Sequence, residues 1–265
     1  MATALATSLR SRFELELRGR VESPFTYRDR NVFEVLSTGI PEIDMSLGGL
    51  PSGAVTEICG PPCSGRTSVL VSTLAARTAE GEVCALVDAR DSFDPYLASV
   101  AGVQLEKLLW VRCQNIDQAL RATDLLIQAG GFGLVAVDLT DIAPQTVRYV
   151  PLNAWFRFRR AVEDTPTALV LMEQEANAKT CASLVLRLDG QRPSWSETRE
   201  AKVLDSLRYP FARLLKGFRI GAEVVRSRVQ PMTDWDPNHG TGGREKSRKL
   251  ETFETEARWE LPRMI

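Results

Sequence analysis

The chain has 265 residues, 44% of them hydrophobic and 25% charged, enough to bury a sizeable core without disulfide or metal staples. Thirty-three basic residues against thirty-four acidic ones leave a formal net charge of −1. That balance excludes a uniformly cationic nucleic-acid coat and an acidic disordered tail as whole-chain descriptions. The single histidine, His239, removes most histidine-based zinc sites and histidine-dependent hydrolases.

Residues 1–36 read as an N-terminal extension with mixed periodicity, a candidate segment for self-association or a partner. Its start lacks the apolar core of a secretory signal. No stretch of the chain approaches the ~20 apolar residues of a membrane span. The five cysteines, at 59, 63, 84, 113 and 181, make no CxxC pair. They read as thiols of a reducing compartment with no structural zinc, and the expected location is cytoplasmic.

From residue 37 the pattern alternates. "STGIPEIDMSLGGLPSG" (37–53) leads into a strand at "AVTEICG", a glycine loop from Gly60 to Thr67, and a helix with Val69, Leu70 and Leu74 on its buried face. "EVCALVD" (82–88), "LLWV" (108–111), "GLVAVDL" (133–139), "TALVLME" (167–173) and "ASLVLRL" (182–188) are short apolar strands. Helical stretches at 115–130 and 153–164 separate some of them. Apolar strands alternating with helices predict an α/β fold, a mostly parallel twisted sheet flanked by helices on both faces. "GAEVVRSRV" (221–229) is a weaker strand candidate. The core is set at 37–230 and a polar, flexible C-terminal tail at 231–265, with a short helix expected within 250–265.

The sharpest local signal is "GPPCSGRT", placed between a strand and a helix. In such a loop backbone N–H groups surround phosphates, the helix N-terminus adds a favourable dipole, and a hydroxyl binds magnesium. Gly60, Pro61, Pro62, Cys63, Ser64, Gly65, Arg66, Thr67 and Ser68 are the candidate nucleotide-binding residues, with Thr67 as the magnesium ligand. Where the pattern calls for lysine stands Arg66, a wide planar fork in place of a compact ammonium. Only six of the thirty-three basic residues are lysines, and none precedes Lys107. Asp138, at the end of "LVAVD", is the strand-terminal aspartate suited to orient magnesium. A structural loop without ligand is the competing reading.

The ordered blocks "STGIPEIDMSLGGLPSGAVTEICGPPCSGRTS", "CALVDARDSFDPYLASVAGV", "LLWVRCQNIDQALRATDLLIQAGGFGLVAVD" and "LVLMEQ…CASLVLRL" resemble the core of the RecA recombinase family over roughly residues 37–190. The resemblance implies a P-loop NTPase core that binds ATP and magnesium, assembles on single-stranded DNA and associates with itself. It places the magnesium-associated aspartate at Asp138 and the nucleotide sensor at Gln174. The family's water-activating carboxylate falls on Arg90, which cannot accept a proton. Neighbouring Asp91 remains as the catalytic candidate, approaching from another direction. With Arg66 and Arg90 in these places, hydrolysis is expected to be weak or absent. Few residues separate Gln174 from the next strand, too few for a long DNA-wrapping loop.

This abbreviated pattern looks like the RecA-like accessory proteins of bacterial mutagenesis cassettes, often called ImuA. That resemblance implies SOS-associated translesion synthesis on damaged DNA at the nucleoid. The implied partners are an inactive Y-family-like polymerase, acting as an accessory protein, and an error-prone replicative-type polymerase. An active DNA-dependent ATPase and recombinase, and a nucleotide-independent interaction module, stand as alternatives.

Two basic segments complete the reading. "VRYVPLNAWFRFRRAV" (147–162) interleaves Arg148, Arg157, Arg159 and Arg160 with Trp155, Phe156 and Phe158 and has no acidic residue. It suits a DNA contact, a protein interface, or an ordinary amphipathic helix. Residues 199–230 carry eight basic residues against three acidic ones. Arg226 and Arg228 would share a face there if the segment is a strand. Trp235 and Trp259 are candidate partner anchors.

Overall fold

In the computed structural model the description covers residues 34–195, 215–228, 248–249 and 253–256. The N-terminal extension up to residue 33, Arg199, Lys202, Arg208, Arg213, Trp235, His239 and Trp259 lie outside the described residues.

A short hairpin, β1 (Val35–Leu36) with β2 (Leu50–Pro51), encloses α1 (Pro41–Leu47). Then come β3 (Val55–Cys59), α2 (Arg66–Ala79), β4 (Cys84–Asp88), α3 (Pro95–Val100), β5 (Leu108–Arg112), α4 (Ile116–Ala129) and β6 (Leu134–Asp138). The core continues through α5 (Pro144–Arg148), α6 (Leu152–Val162), β7 (Ala168–Glu173), β8 (Leu184–Trp195) and β9 (Leu215–Ser227). Strands β10 (Arg248–Lys249) and β11 (Phe253–Glu256) close it.

Among the described residues nine strands form one sheet in the order β10-β9-β8-β3-β7-β6-β4-β5, with β11 also on β9. From β8 to β5 every pairing is parallel; β9, β10 and β11 join antiparallel. Strands β3, β4 and β7 are buried at every position, which accounts for their mostly apolar composition and leaves Thr56, Glu57, Asp88 and Glu173 as buried polar exceptions. One face carries Ile58, Leu70, Leu74, Leu86, Ala98 and Ile220. The other carries Val55, Cys59, Leu171, Ala119, Trp155 and Phe158. Helices thus cover both faces, as the alternation predicted.

Two expectations change at the chain's C-terminal side. The weak strand at 221–229 begins six residues earlier and pairs along most of β8, with register shifts near Val185, Gly190 and Ser194. Within 250–265 the expected short helix is replaced at Phe253–Glu256 by a strand whose Phe253 is buried against the core. Phe253 gives β11 an apolar side chain to bury, which a surface helix of this polar composition would not need.

Candidate nucleotide and loop-coupling site

The C-terminal ends of the parallel strands gather the predicted nucleotide residues, as expected for an open α/β sheet. Register puts Asp88 beside Asp138, Asp138 beside Met172, and Cys59 beside Glu173. The chain therefore leaves β3 into the glycine loop within one strand spacing of Gln174.

The loop turns through two residues in the left-handed region, Cys63 at φ 62° and Gly65 at φ 90°. Neighbouring backbone leaves no room for larger residues at two glycines. A Cβ on Gly60 would lie 2.3 Å from the Leu188 carbonyl, and one on Gly190 would lie 2.4 Å from the Cys63 carbonyl. Strand β8 thus runs directly behind the loop. Pro61, Pro62, Cys63, Thr67 and Ser68 are exposed, while Ser64 is buried and its hydroxyl has no hydrogen-bond partner. Gly65 caps α2 without a side-chain hydrogen bond, and no acidic residue stands in the first turn. Free N–H groups and an open Thr67 hydroxyl at this helix end fit a nucleotide's phosphates and their magnesium.

The Arg66 side chain is committed to the sheet. It is 7% exposed, and its Nη1 donates to the Glu173 carbonyl at 2.8 Å. Burial pulls the guanidinium below the usual arginine value, while the negative charges of Asp138 and Asp141 oppose that shift.

Asp138 lies at the end of β6. Its Oδ1 accepts from the Thr140 main-chain N–H at 2.9 Å and hydroxyl at 2.6 Å. Burial raises its pKa and these two donors lower it. Gln174 Nε2 donates to the Thr140 carbonyl at 2.8 Å. The sensor candidate and the magnesium candidate therefore meet through one residue.

Arg90 is exposed in the turn after β4, a turn built by Asp88. The Asp88 carboxylate accepts from the N–H groups of Arg90 at 3.1 Å and Phe93 at 2.9 Å. Asp91, at φ 60°, is exposed and forms a bidentate pair with Arg112. That guanidinium lowers the Asp91 pKa and also lies 5.0 Å over the Trp110 ring. A carboxylate held in this way is a poor proton acceptor. Asp94 caps α3 by accepting from Tyr96 and Leu97 N–H groups.

The arginine–aromatic segment divides. Trp155 is 2% exposed and stacks edge-on with buried Phe158, so it is corrected from a surface residue to a core residue. Helical spacing puts 154, 155, 158 and 162 on the buried side. Arg157 pairs with Asp124 at 2.9 Å; Arg159 is half-buried and Arg160 exposed. Arg148 reaches Glu175 at 2.6 Å, and Arg226 donates to the Lys179 carbonyl. These last two hold opposite ends of the segment after Gln174. Arg228 lies past the end of β9, where its N–H donates to the Ser183 carbonyl at 2.8 Å.

Three residues of this region escaped sequence reasoning: Glu57, Glu173 and Asn177. The available signal was a glutamate inside each of two apolar strand runs, "AVTEICG" and "TALVLME". Among the described residues no cluster of histidine, cysteine and carboxylate could hold a metal ion, and no helix is long and apolar enough to cross a membrane.

Comparison with known proteins agrees with this geometry. Residues 24–147 match the RecA N-terminal domain family. Over 107 residues the chain is 39% identical to Protein RecA of Psychrobacter cryohalolentis and 41% identical to Protein RecA of Brucella canis. Each alignment covers 40% of this chain and 30% of the relative, so the chain spans under a third of the length of these relatives. A crystal structure of the RadB recombinase superposes with a TM-score of 0.55 at 19% identity, covering 74% of this chain and 92% of that one. The chain has the RecA-like P-loop NTPase fold and is related, through its N-terminal half, to the RecA-like recombinases.

Proposed function

We propose that this protein is a RecA-like accessory factor of SOS-associated translesion synthesis, in which magnesium–ATP serves as a conformational ligand and is turned over slowly or not at all. The observation that carries the reading is the Arg66 guanidinium, whose Nη1 is committed to the Glu173 carbonyl at the end of β7. Thr67 and Asp138 would hold magnesium, and the loop N–H groups would hold the phosphates. ATP supplies a γ-phosphate that Gln174 can sense through Thr140. Exposed Arg90 at the position for water activation, with Asp91 paired to Arg112, supports weak hydrolysis.

The abbreviated 174–183 segment supports a binding role over strand exchange, because hydrogen bonds from Asn177 and Ala178 hold it down on the sheet. The proposed partners are the inactive Y-family-like polymerase and the error-prone replicative-type polymerase, with single-stranded DNA and a second copy of the chain as further ligands. Exposed Arg160, Arg157 and Phe156 on α6 are the proposed contact surface. Reconstituted pull-down with both polymerases, with and without magnesium–ATP, tests the reading. Nucleotide-dependent capture is expected; equal capture in nucleotide-free, ADP and ATP states would remove the switch.

A second reading, an active DNA-dependent ATPase and recombinase, is favoured by the relatives' own names and by the retained Thr67 and Asp138. A steady-state phosphate-release assay separates the two. A rate stimulated by single-stranded DNA and abolished in Asp138→Ala would establish the second reading.

A further inference from the structure

Glu57 and Glu173 are both 0% exposed, one within β3 and the other at the end of the adjacent parallel strand β7. Strand alternation puts both side chains on the face of Val55, Cys59, Leu169 and Leu171. Asn177 joins them. Its main-chain N–H and that of Ala178 donate to Glu57 Oε1 at 2.6 and 2.5 Å, and its Nδ2 donates to Glu173 Oε2 at 2.7 Å. The two remaining oxygens, Glu57 Oε2 and Glu173 Oε1, are buried with no hydrogen-bond partner.

As ions, both carboxylates would be acceptors only, and two like charges would repel inside a poorly solvated sheet. A proton on one carboxyl removes that repulsion and turns one of the orphan acceptors into a donor. We propose that Glu57 and Glu173 hold one proton between them, and that its loss releases the 174–178 turn from the sheet. The pair is a pH-sensitive latch on the segment after the sensor glutamine, and it operates whether or not nucleotide binds.

Among the described residues no surrounding charged group supplies the missing donor. On β3, Cys59 is pushed up to about 11 by burial and by the charge of Glu57, and interacts with Arg187 of β8. Arg187 also faces Glu223 of β9 at 3.8 Å. Arg226 of β9 favours ionised Glu57 through its field, yet it donates to the Lys179 carbonyl. Arg66 of α2 takes the main-chain carbonyl of Glu173 and leaves the carboxyl alone. Cys181, in the turn with Lys179, lies in the field of Arg159 from α6 and of Arg228. Glu175 is exposed and turned to Arg148.

Burial, reinforced by Glu57, raises Glu173 to about 8; burial also raises Glu57, against the two N–H donors. The latched state keeps a proton that an opened, solvated Glu173 releases above its ordinary value of 4.5. Latching is therefore strongest below that value, weakens as pH rises, and stops weakening above about 8.

Native-state hydrogen exchange at the Asn177 and Ala178 amides of the full chain tests the latch, each rate being divided by its intrinsic chemical rate. The opening equilibrium should rise about tenfold per pH unit below the raised value and then level off. In Glu173→Gln the amide Nε2 can donate to Glu57 Oε2 while Oε1 keeps the Asn177 contact. Protection should then be high and independent of pH, and Glu57→Gln should flatten the profile in the same way. Wild-type protection that does not vary with pH overturns the proposal, as does a Glu173→Gln variant that keeps the wild-type profile. Alkaline protection restored by magnesium or manganese, and abolished in Glu173→Gln, overturns it in favour of a cation between the carboxylates. Polymerase capture can fail with this profile intact, so the two proposals stand or fall separately.

Discussion

The Arg66 guanidinium donates to the main-chain carbonyl of Glu173 at 2.8 Å, across 107 residues of sequence. The contact joins the first turn of α2, at the phosphate loop, to the last residue of β7, next to Gln174. Arginine can make it because its fork extends past the point where a lysine ammonium would stop.

Arg66→Ala is expected to act twice. Loss of a buried charged donor should lower stability by about 1–3 kcal/mol, measured by urea unfolding without nucleotide. Titration calorimetry should also show weaker magnesium–ATP binding, since the contact that ties the loop's helix to the end of β7 is lost. Unchanged affinity with reduced stability would make Arg66 a structural residue alone.

Gly190→Ala tests the support that β8 gives the loop. Its Cβ would lie 2.4 Å from the Cys63 carbonyl, so backbone must shift. A loss of about 1–3 kcal/mol in urea unfolding is expected, together with weaker nucleotide binding. Wild-type affinity would show that the loop conformation does not depend on β8.

Cysteine reactivity offers a probe of loop occupancy. Burial pushes Cys59 up to about 11 and Cys84 up to about 12, and Cys113 and Cys181 are buried as well. Cys63 is exposed in the phosphate loop. Under mildly alkaline native conditions a maleimide should modify Cys63 first, as read by peptide mass spectrometry. Magnesium–ATP should slow that reaction; a rate indifferent to nucleotide would count against phosphate in the loop.

Combined substitution of Arg157, Arg159 and Arg160 by alanine should weaken single-stranded DNA binding. The logarithmic salt slope should fall by about 0.7 for each phosphate that the variant no longer neutralises. The Arg157–Asp124 pair is half exposed, so its removal should cost at most about 1 kcal/mol of stability. An unaltered slope would assign this helix face to a protein partner or to solvent.

How far these sites could be read in advance depends on the range of the interaction concerned. Thr67 and Gly65 were legible because a phosphate loop is a local device, set by neighbouring residues and the helix that follows. Trp155 was ambiguous, since an arginine–aromatic run fits a buried stripe as well as a stacking surface. Its spacing shares a face with 154, 158 and 162, and the packing of that face on the sheet puts it in the core. The β11 strand was misread because a short polar segment takes its structure from the edge it joins, here β9.

By itself the sequence determined the alternation of apolar strands and helices, the phosphate loop, and the absence of lysine at 66 and of a carboxylate at 90. These follow from hydrophobic periodicity and from the charge and reach of single side chains. Only the tertiary structure decided where the Arg66 guanidinium goes and that Glu57 and Glu173 meet across β3 and β7. It also decided that Asn177 and Ala178 close the segment after Gln174. Each of these depends on strand register and burial, which bring together groups more than a hundred residues apart and remove the water that would otherwise satisfy them.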